Sequence, residues 1–262
     1  MRSFRILASA ALAAFAALVT TVPAEAAAAN YVALGDSYSS GTGTGSYYSD
    51  SGSCKRSPYA YPALWAAAHA PASFQFVACS GARTGDVLAN QVGALSASTS
   101  LVTISIGGND AGFSDVITTC TLSSDSACVS RVEQAKTYAT TTLPGLLDNV
   151  YAQIRTRAPS AQVVVLGYPR LYQVPGSCSV GLSNTKRSAI NSAADTLHTV
   201  ISGRASAKSF TYRDVRGAFT GHEICSSDWW LNSLSWPVEE SYHPNRNGQR
   251  LGYLPQLDAV AS

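Results

Sequence analysis

The first side chain that could do chemistry is the hydroxyl of Ser37. It stands just after an apolar run, Tyr31–Leu34, in the motif Gly35-Asp36-Ser37. A serine hydroxyl becomes an effective nucleophile when a neighbouring base removes its proton. The candidate base is His243, near the end of the chain. This pair predicts attack on a carbonyl carbon, with Ser37 as the nucleophile and His243 as the general base and then the general acid.

Acyl transfer also needs hydrogen-bond donors that face the oxyanion of the transition state. Gly81 offers an unobstructed backbone N–H after one apolar run, and Asn109 offers a side-chain amide after another. Ser37 can add its own backbone N–H. Each surrounding motif alone is a common turn, because glycine, serine and asparagine all favour turns. Together they predict an oxyanion hole formed by Ser37, Gly81 and Asn109.

The choice of base has one rival, His222, which lies in a glycine-rich loop. His243 is preferred because Tyr242 and Pro244 flank it and the acidic Glu240 precedes it. The chain has neither a Gly-x-Ser-x-Gly nor a His-Glu-x-x-His motif, which argues against a nucleophile elbow and a zinc protease. The expected chemistry needs no metal and no organic cofactor.

These residues must be positioned by the surrounding elements, and short apolar runs alternate with helical stretches along the chain. The predicted strands are Tyr31–Leu34, Phe74–Val77, Leu101–Ile106, Val163–Leu166 and Phe210–Tyr212. Their continuous apolar character is typical of parallel strands that are buried on both faces. The predicted helices are Tyr61–His69, Val129–Arg157 with a break or kink at Pro144, Ser183–Ala205, and a last helix after Pro244-Asn245.

The alternation of strands and helices predicts an α/β fold, a three-layer α/β/α sandwich with a mostly parallel five-stranded sheet. Ligands bind beyond the carboxyl ends of the strands in such sheets. The motifs that contain Ser37, Gly81 and Asn109 each follow a predicted strand, so we expect them to meet at one edge of the sheet.

The composition limits the class of protein. The chain has 262 residues, of which 46% are hydrophobic and 13% are charged, with a formal net charge of +2. That length and apolar content suit one globular domain, which we place at residues 27–262. No cluster of Lys and Arg suggests a nucleic-acid partner. We expect a monomer.

The amino terminus has the features of a secretory signal peptide. Arg2 and Arg5 precede an apolar, alanine-rich stretch, Ile6–Val22, and Ala24-Glu25-Ala26 offers a cleavage site. We therefore predict a signal peptide at residues 1–26. A membrane anchor is the alternative, but the apolar stretch is short and no later stretch could span a bilayer. The mature protein is expected to be secreted, without a stable membrane anchor.

Six cysteines in an exported chain predict disulfide bonds. They are Cys54, Cys79, Cys120, Cys128, Cys178 and Cys225. Six cysteines allow fifteen connectivities. We favour the sequential pairing, 54 with 79, 120 with 128 and 178 with 225, because the members of each pair fall in neighbouring loop regions.

Four motifs occur in the order of the GDSL, or SGNH, hydrolase family, which the chain resembles over essentially its whole predicted mature length. They are Gly35-Asp36-Ser37, the glycine of Ser80-Gly81-Ala82-Arg83, Gly107-Gly108-Asn109-Asp110, and His243-Pro244. Within the family, the chain is most similar to the secreted GDSL lipases and phospholipases of streptomycetes, including their six cysteines. The resemblance implies that Ser37 is the nucleophile and His243 the base. It also implies that Gly81 and Asn109 are oxyanion donors.

One position departs from the family pattern. The family commonly has an aspartate three residues before the histidine, as the third member of a catalytic triad, and this chain has Glu240 there. Some secreted relatives resemble a dyad, in which a backbone carbonyl accepts the second imidazole N–H. That carbonyl would belong to Ser241. We favour Ser241 and keep Glu240 as the alternative, since a glutamate can also orient a histidine.

The predicted function is a secreted serine carboxylester hydrolase, and the resemblance implies fatty acyl esters, including lipids, as its substrates. A carbohydrate esterase that removes acetyl groups is one alternative, and a secreted binding module without activity is another. Aromatic residues in loop-like regions could wall an acyl groove or cover the core. These residues are Tyr38, Tyr47, Tyr48, Trp229, Trp230 and Trp236.

Overall fold

A computed structural model describes residues 28–176, 178 and 181–261 of the protein. The predicted signal peptide at residues 1–26 lies outside the described residues. Of the helices in the described part of the chain, none is both long and apolar enough to cross a membrane.

The centre of the fold is a five-stranded sheet in which every neighbouring pair of strands is parallel. The strands are β1 (Asn30–Ala33), β2 (Ser73–Phe76), β3 (Leu101–Ile104), β4 (Gln162–Leu166) and β5 (Thr211–Arg213), in the spatial order β2-β1-β3-β4-β5. The predicted sheet is therefore confirmed. Because β2, β1 and β3 are neighbours, the three motifs that follow them meet at one edge of the sheet.

The strands differ in burial. The central strand β3 is buried along its whole length, as expected for a strand that is covered on both faces. The edge strand β2 alternates instead, because Ser73 and Gln75 face solvent while Phe74 and Phe76 are half-buried. The expectation that all five strands are covered on both faces was therefore wrong at this edge.

Helices of very different lengths connect the strands. They are α1 (Ser37–Ser40), α2 (Tyr61–His69), α3 (Thr84–Asp86), α4 (Phe113–Leu122), α5 (Asp125–Thr141), α6 (Leu143–Arg157), α7 (Asn184–Ala207) and α8 (Leu254–Asp258). Short 3₁₀-helices occur at Gly52–Cys54, Val92–Ala94 and Val238–Glu240, and π-helical segments at Val87–Gln91 and Gly248–Tyr253. One group of helices contains α2 and α8, and α4, α5, α6 and α7 form a second group, which gives the three-layer α/β/α sandwich.

The predicted break near Pro144 is confirmed, whereas one helix was missed. Residues 129–157 belong to two helices, α5 and α6, which separate at Thr142. Pro144 stands in the first turn of α6, where its missing N–H costs nothing, whereas in the interior of one continuous helix it would remove a hydrogen bond. In addition, α4 was not predicted, and it contributes to the functional site.

Three disulfide bonds join the loops and helices. They pair Cys54 with Cys79, Cys120 with Cys128, and Cys178 with Cys225, so all six cysteines are bonded and the expected sequential pairing is confirmed. A native disulfide typically contributes about 2–4 kcal/mol to stability. The first disulfide also fastens the loop that contains Gly81, because Cys79 belongs to that loop. The Cys79 N–H in addition donates to the Gly35 carbonyl at 3.0 Å.

Candidate active site

Ser37 is the first residue of α1 and lies directly beyond the end of β1. The chain must turn sharply here, and Gly35 has a φ of +124°. A Cβ at this position would lie 2.6 Å from the carbonyl oxygen of Ser105, so only glycine fits. The Asp36 carboxylate then caps α1 by accepting the Tyr38 N–H at 3.0 Å. The close approach at Gly35 and the helix cap at Asp36 explain why the buried strand is followed by Gly35-Asp36-Ser37.

His243 lies against Ser37, although the two residues are 206 positions apart. The His243 Nε2 is 2.8 Å from the Ser37 Oγ, and both side chains are buried. The other ring nitrogen, Nδ1, is 2.8 Å from the Ser241 carbonyl oxygen. A carbonyl oxygen can only accept, so Nδ1 carries the proton and the neutral ring presents its lone pair at Nε2 to the serine hydroxyl.

The Glu240 carboxylate makes no hydrogen bond to the imidazole. Its carboxylate accepts a hydrogen bond from the Tyr47 hydroxyl at 2.7 Å instead. The Ser241 carbonyl can turn back towards Nδ1 because Tyr242 has a φ of +62°. This left-handed conformation is strained for a residue other than glycine and persists only where the surroundings hold it. The geometry therefore favours the backbone carbonyl of Ser241 over Glu240 as the group that orients His243.

Several contacts that the sequence did not reveal hold the histidine loop in place. The Tyr38 hydroxyl donates to the Tyr242 carbonyl at 2.8 Å, which ties the residue after Ser37 to the residue before His243. The Asn232 N–H donates to the His243 carbonyl, and its side-chain amide donates to the Gly43 carbonyl. Gly43 lies so close that an added Cβ would be 2.8 Å from the Cβ of His243.

Burial changes the proton affinities in the site. It lowers the pKa of His243 to about 4, and the hydrogen bond to the Ser241 carbonyl opposes this shift only in part. Burial also raises the pKa of Asp36 to about 6, against hydrogen bonds from Tyr168, Tyr38 and Ser105. His243 is consequently neutral at neutral pH and can accept a proton from Ser37.

The predicted oxyanion donors lie beside Ser37 in different ways. Asn109 and Ser37 line the same cavity, and the Asn109 side-chain amide donates to the Ala82 carbonyl at 3.0 Å. An amide group has two N–H bonds, so one is left for another acceptor. Gly81 does not line the cavity but immediately precedes Ala82 in the turn that Asn109 contacts. Among the described residues, the backbone N–H groups of Ser37 and Gly81 have no protein acceptor.

The other candidate residues have different surroundings. The His222 ring stacks on Trp230 with the ring centroids 3.6 Å apart, and its Nδ1 lies 3.1 Å from the Asp228 carbonyl oxygen. It makes no contact with Ser37. Asp110 accepts hydrogen bonds from the N–H and hydroxyl of Thr84 and so stabilises the turn beside Asn109. No group of three or more His, Cys, Asp or Glu residues in the described ranges could hold a metal ion.

A mainly apolar cavity leads away from Ser37. It is narrow, with a cavity volume of about 60 Å³, and lies between α4, α5 and α7. The helix α7 contributes Ile190, Ala193, Ala194 and Leu197, a single helical stripe that is about 10 Å long at 1.5 Å per residue. Of the six aromatic residues proposed as groove walls, only Tyr38 lines this cavity. Aliphatic and small side chains form most of the rest of the wall, including Val116 and Ala139.

Comparison with known proteins agrees with this geometry. The model of the GDSL-like Lipase/Acylhydrolase family matches residues 33–251. Lipase 1 of Streptomyces coelicolor is 58% identical over 269 aligned residues, which cover 100% of both chains. The crystal structure of an extracellular lipase from Streptomyces rimosus is 58% identical, with a TM-score of 0.88, over 89% of this chain and 100% of that one.

A second solved structure is equally similar. The crystal structure of phospholipase A1 from Streptomyces albidoflavus is 60% identical, with a TM-score of 0.88, over 90% of this chain and 100% of that one. The family model spans all four motifs, and the relatives align along nearly the whole chain. The chain therefore belongs to the GDSL-like lipase/acylhydrolase family.

Proposed function

We propose that the protein is a secreted lipase that hydrolyses fatty acyl esters through Ser37. Family membership and 58% identity to a streptomycete lipase make the chain a carboxylic ester hydrolase. The observation that carries the assignment of residues is the 2.8 Å contact between the Ser37 Oγ and the Nε2 of a neutral, buried His243. A nucleophile and a base in direct contact are what acyl transfer requires.

The reaction proceeds in two steps. His243 accepts the Ser37 proton at Nε2 while the Ser37 Oγ attacks the ester carbonyl, and the protonated imidazole then donates that proton to the leaving alcohol. Water attacks the resulting acyl-enzyme, with His243 again accepting a proton and returning it to Ser37. The Ser241 carbonyl keeps Nδ1 protonated throughout, so His243 always presents Nε2 to the reacting atoms.

The negative charge that develops on the substrate oxygen needs fixed donors. We assign these to the free backbone N–H groups of Ser37 and Gly81 and to the second N–H of the Asn109 amide. The disulfide between Cys54 and Cys79 and the bond from Asn109 to Ala82 hold the Gly81 turn, so its donor is oriented before substrate binds. Donors that need no reorganisation during the reaction are the most effective.

The cavity beside Ser37 supports a fatty acyl chain as the group that is cleaved. Its walls are almost entirely apolar, and its length along α7 far exceeds what an acetyl group would fill. An acetyl esterase that acts on carbohydrate would gain nothing from this apolar space, because a sugar needs polar partners. The cavity therefore favours lipid esters over the carbohydrate alternative.

We also propose that the protein is exported by its predicted signal peptide, cut near Ala26, and acts as a monomer. Three disulfide bonds suit an oxidising compartment. The nucleophile, the base and all the assigned oxyanion donors come from one chain, so a second copy is not needed to complete the site.

The first test concerns the nucleophile and the base. A serine-directed phosphonate should label Ser37, and Ser37→Ala and His243→Ala should each abolish nearly all ester hydrolysis. The double variant should be little worse than either single one, because residues that act as a unit are not additive. His222→Ala is the matched control and should keep near-normal turnover. Labelling at another residue, found by mass mapping, would contradict the assignment of Ser37.

The second test concerns the oxyanion donor Asn109. Asn109→Ala should lower turnover by roughly 10²–10³, the usual cost of one lost donor. The KM for a short-chain ester should change far less, because the charge develops only in the transition state. Because Asn109 also contacts Ala82, circular dichroism is used to check that the variant still folds. Normal turnover in a folded Asn109→Ala variant would leave Asn109 with a role in the turn only.

The third test separates Ser241 from Glu240 as the group that orients the histidine. Glu240→Gln should keep most of its activity, whereas a true triad loses about 10⁴ when its carboxylate is replaced by an amide. The base works only when neutral, and a lowered pKa keeps it neutral as the pH falls. The acid limb of the pH profile of kcat/KM should therefore lie near pH 4 both in the parent and in Glu240→Gln. A loss of more than about a thousandfold would show that Glu240 completes a triad.

The fourth test concerns the acyl cavity. Ala194→Phe places a ring in the cavity and should lower kcat/KM for a palmitate ester by at least about tenfold, since each buried CH₂ contributes about 0.8 kcal/mol. Hydrolysis of an acetate ester should change much less. Thr199→Phe adds the same ring to an exposed position of α7 and is the matched control. An equal loss on both esters would contradict the assignment of this cavity to the acyl chain.

A further inference from the structure

A strongly exposed apolar segment lies next to the catalytic histidine. Residues 229–238 read Trp-Trp-Leu-Asn-Ser-Leu-Ser-Trp-Pro-Val, and none of the ten carries a charge. Leu234, Trp236 and Val238 are 64%, 90% and 57% exposed. Only Leu122, at 79%, is comparably exposed among the large hydrophobic residues that the structure describes. Single exposed apolar residues are common, but a cluster of them marks an interaction surface.

Within this segment Leu231 is fully buried, but residues 234–238 place a serine inward and apolar side chains outward. The Ser235 Oγ is buried, whereas its neighbours Leu234 and Trp236 are exposed. The Ser235 N–H donates to the Ser241 Oγ at 2.9 Å. This is the reverse of an ordinary surface loop, in which serine faces water and leucine packs inward. The exposure of the apolar side chains therefore follows from the local backbone and its hydrogen bonds.

The neighbouring polar contacts fix the segment in this position. The Asn232 side-chain amide donates to the Gly43 carbonyl at 2.8 Å. The Lys55 ammonium lies 2.8 Å from the Glu239 carboxylate, so the first charge after the segment is paired. Glu240 accepts from Tyr47. Leu234, Trp236 and Val238 are thus presented to solvent by an anchored backbone whose ends are tied down.

We propose that the 229–238 segment docks the enzyme on the surface of aggregated lipid. The inference rests on the proposed function, since fatty acyl esters of low solubility gather in such aggregates. Insertion needs apolar side chains and little charge to desolvate, and tryptophan favours the boundary between lipid and water. The segment offers all three features. Its Asn232 N–H donates to the His243 carbonyl at 2.9 Å, so docking holds the loop that carries His243 close to the surface where the substrate lies.

The absence of charge also specifies the kind of lipid surface. A segment that relied on anionic headgroups would carry lysine or arginine, whose positive charges such a surface attracts. Residues 229–238 have none, and Lys55 is already paired with Glu239. The segment therefore suits a zwitterionic surface, and we expect its binding to depend little on salt.

The test uses vesicles of phosphatidylcholine and the full mature chain. The inactive Ser37→Ala variant should cosediment with the vesicles, and adding Leu234→Ser, Trp236→Ser and Val238→Ser should weaken binding at least about tenfold. Tyr138→Ser removes an exposed aromatic residue from α5 and should leave binding unchanged. With Ser37 intact, the triple variant should hydrolyse a soluble butyrate ester at the parental kcat/KM but lose activity on vesicles.

Two binding results would overturn the proposal, and one result with the soluble ester would do so as well. One is failure of the Ser37→Ala protein to bind phosphatidylcholine vesicles, and the other is equal binding by the protein that also carries the three serine substitutions. A triple variant that lost equal activity on the soluble butyrate ester would also contradict docking, because the damage would lie in the catalytic site. Vesicle binding is measured without catalysis. Failure of ester hydrolysis by the parent would therefore refute the proposed function separately.

Discussion

The rest of the site depends on one hydrogen bond, the 2.8 Å contact between the His243 Nδ1 and the Ser241 carbonyl oxygen. It fixes the tautomer of the ring and so directs the Nε2 lone pair at Ser37. The bond joins residues only two positions apart, which requires the left-handed conformation of Tyr242. That conformation is held from both sides, by the Tyr38 hydroxyl at the Tyr242 carbonyl and by Asn232 at the Tyr242 N–H. Strain of this kind persists only where such contacts outweigh it.

Orientation by a carbonyl rather than a carboxylate has an electrostatic consequence. A buried imidazole without a carboxylate partner is hard to protonate, and its pKa falls to about 4. His243, the proposed base, therefore stays neutral, but the imidazolium of the proposed reaction gains less from its surroundings than it would beside a carboxylate. The developing oxyanion partly offsets this, because opposite charges attract strongly where water is excluded. Fixed donors such as the Asn109 amide then matter more than they would in a full triad.

The sequence predicted the parts of this protein that follow from local rules. Parallel strands read as continuous apolar runs, and the residues after β2, β1 and β3 had to meet at one edge, which brought Ser37 and Asn109 together. The break near Pro144 followed from its missing N–H. The contacts between distant side chains could not be predicted, because no spacing along the chain shows that Tyr38 bonds to Tyr242. The same is true of the alanines in the acyl cavity, which look like ordinary core residues until the helices are in place.

The sheet positions one part of the site, and side-chain contacts position the other part. Neighbouring strands about 4.8 Å apart set the relative positions of Ser37 and Asn109, and the buried sheet resists displacement. His243 comes from a loop without that support, and few but specific polar contacts hold it. One of these joins the Ser241 hydroxyl to the Ser235 N–H inside the exposed apolar segment. Ser241, whose carbonyl accepts the His243 Nδ1 proton, is thus bonded to the segment proposed to dock on lipid. A force or contact at that surface therefore acts on the half of the site that the fold constrains least.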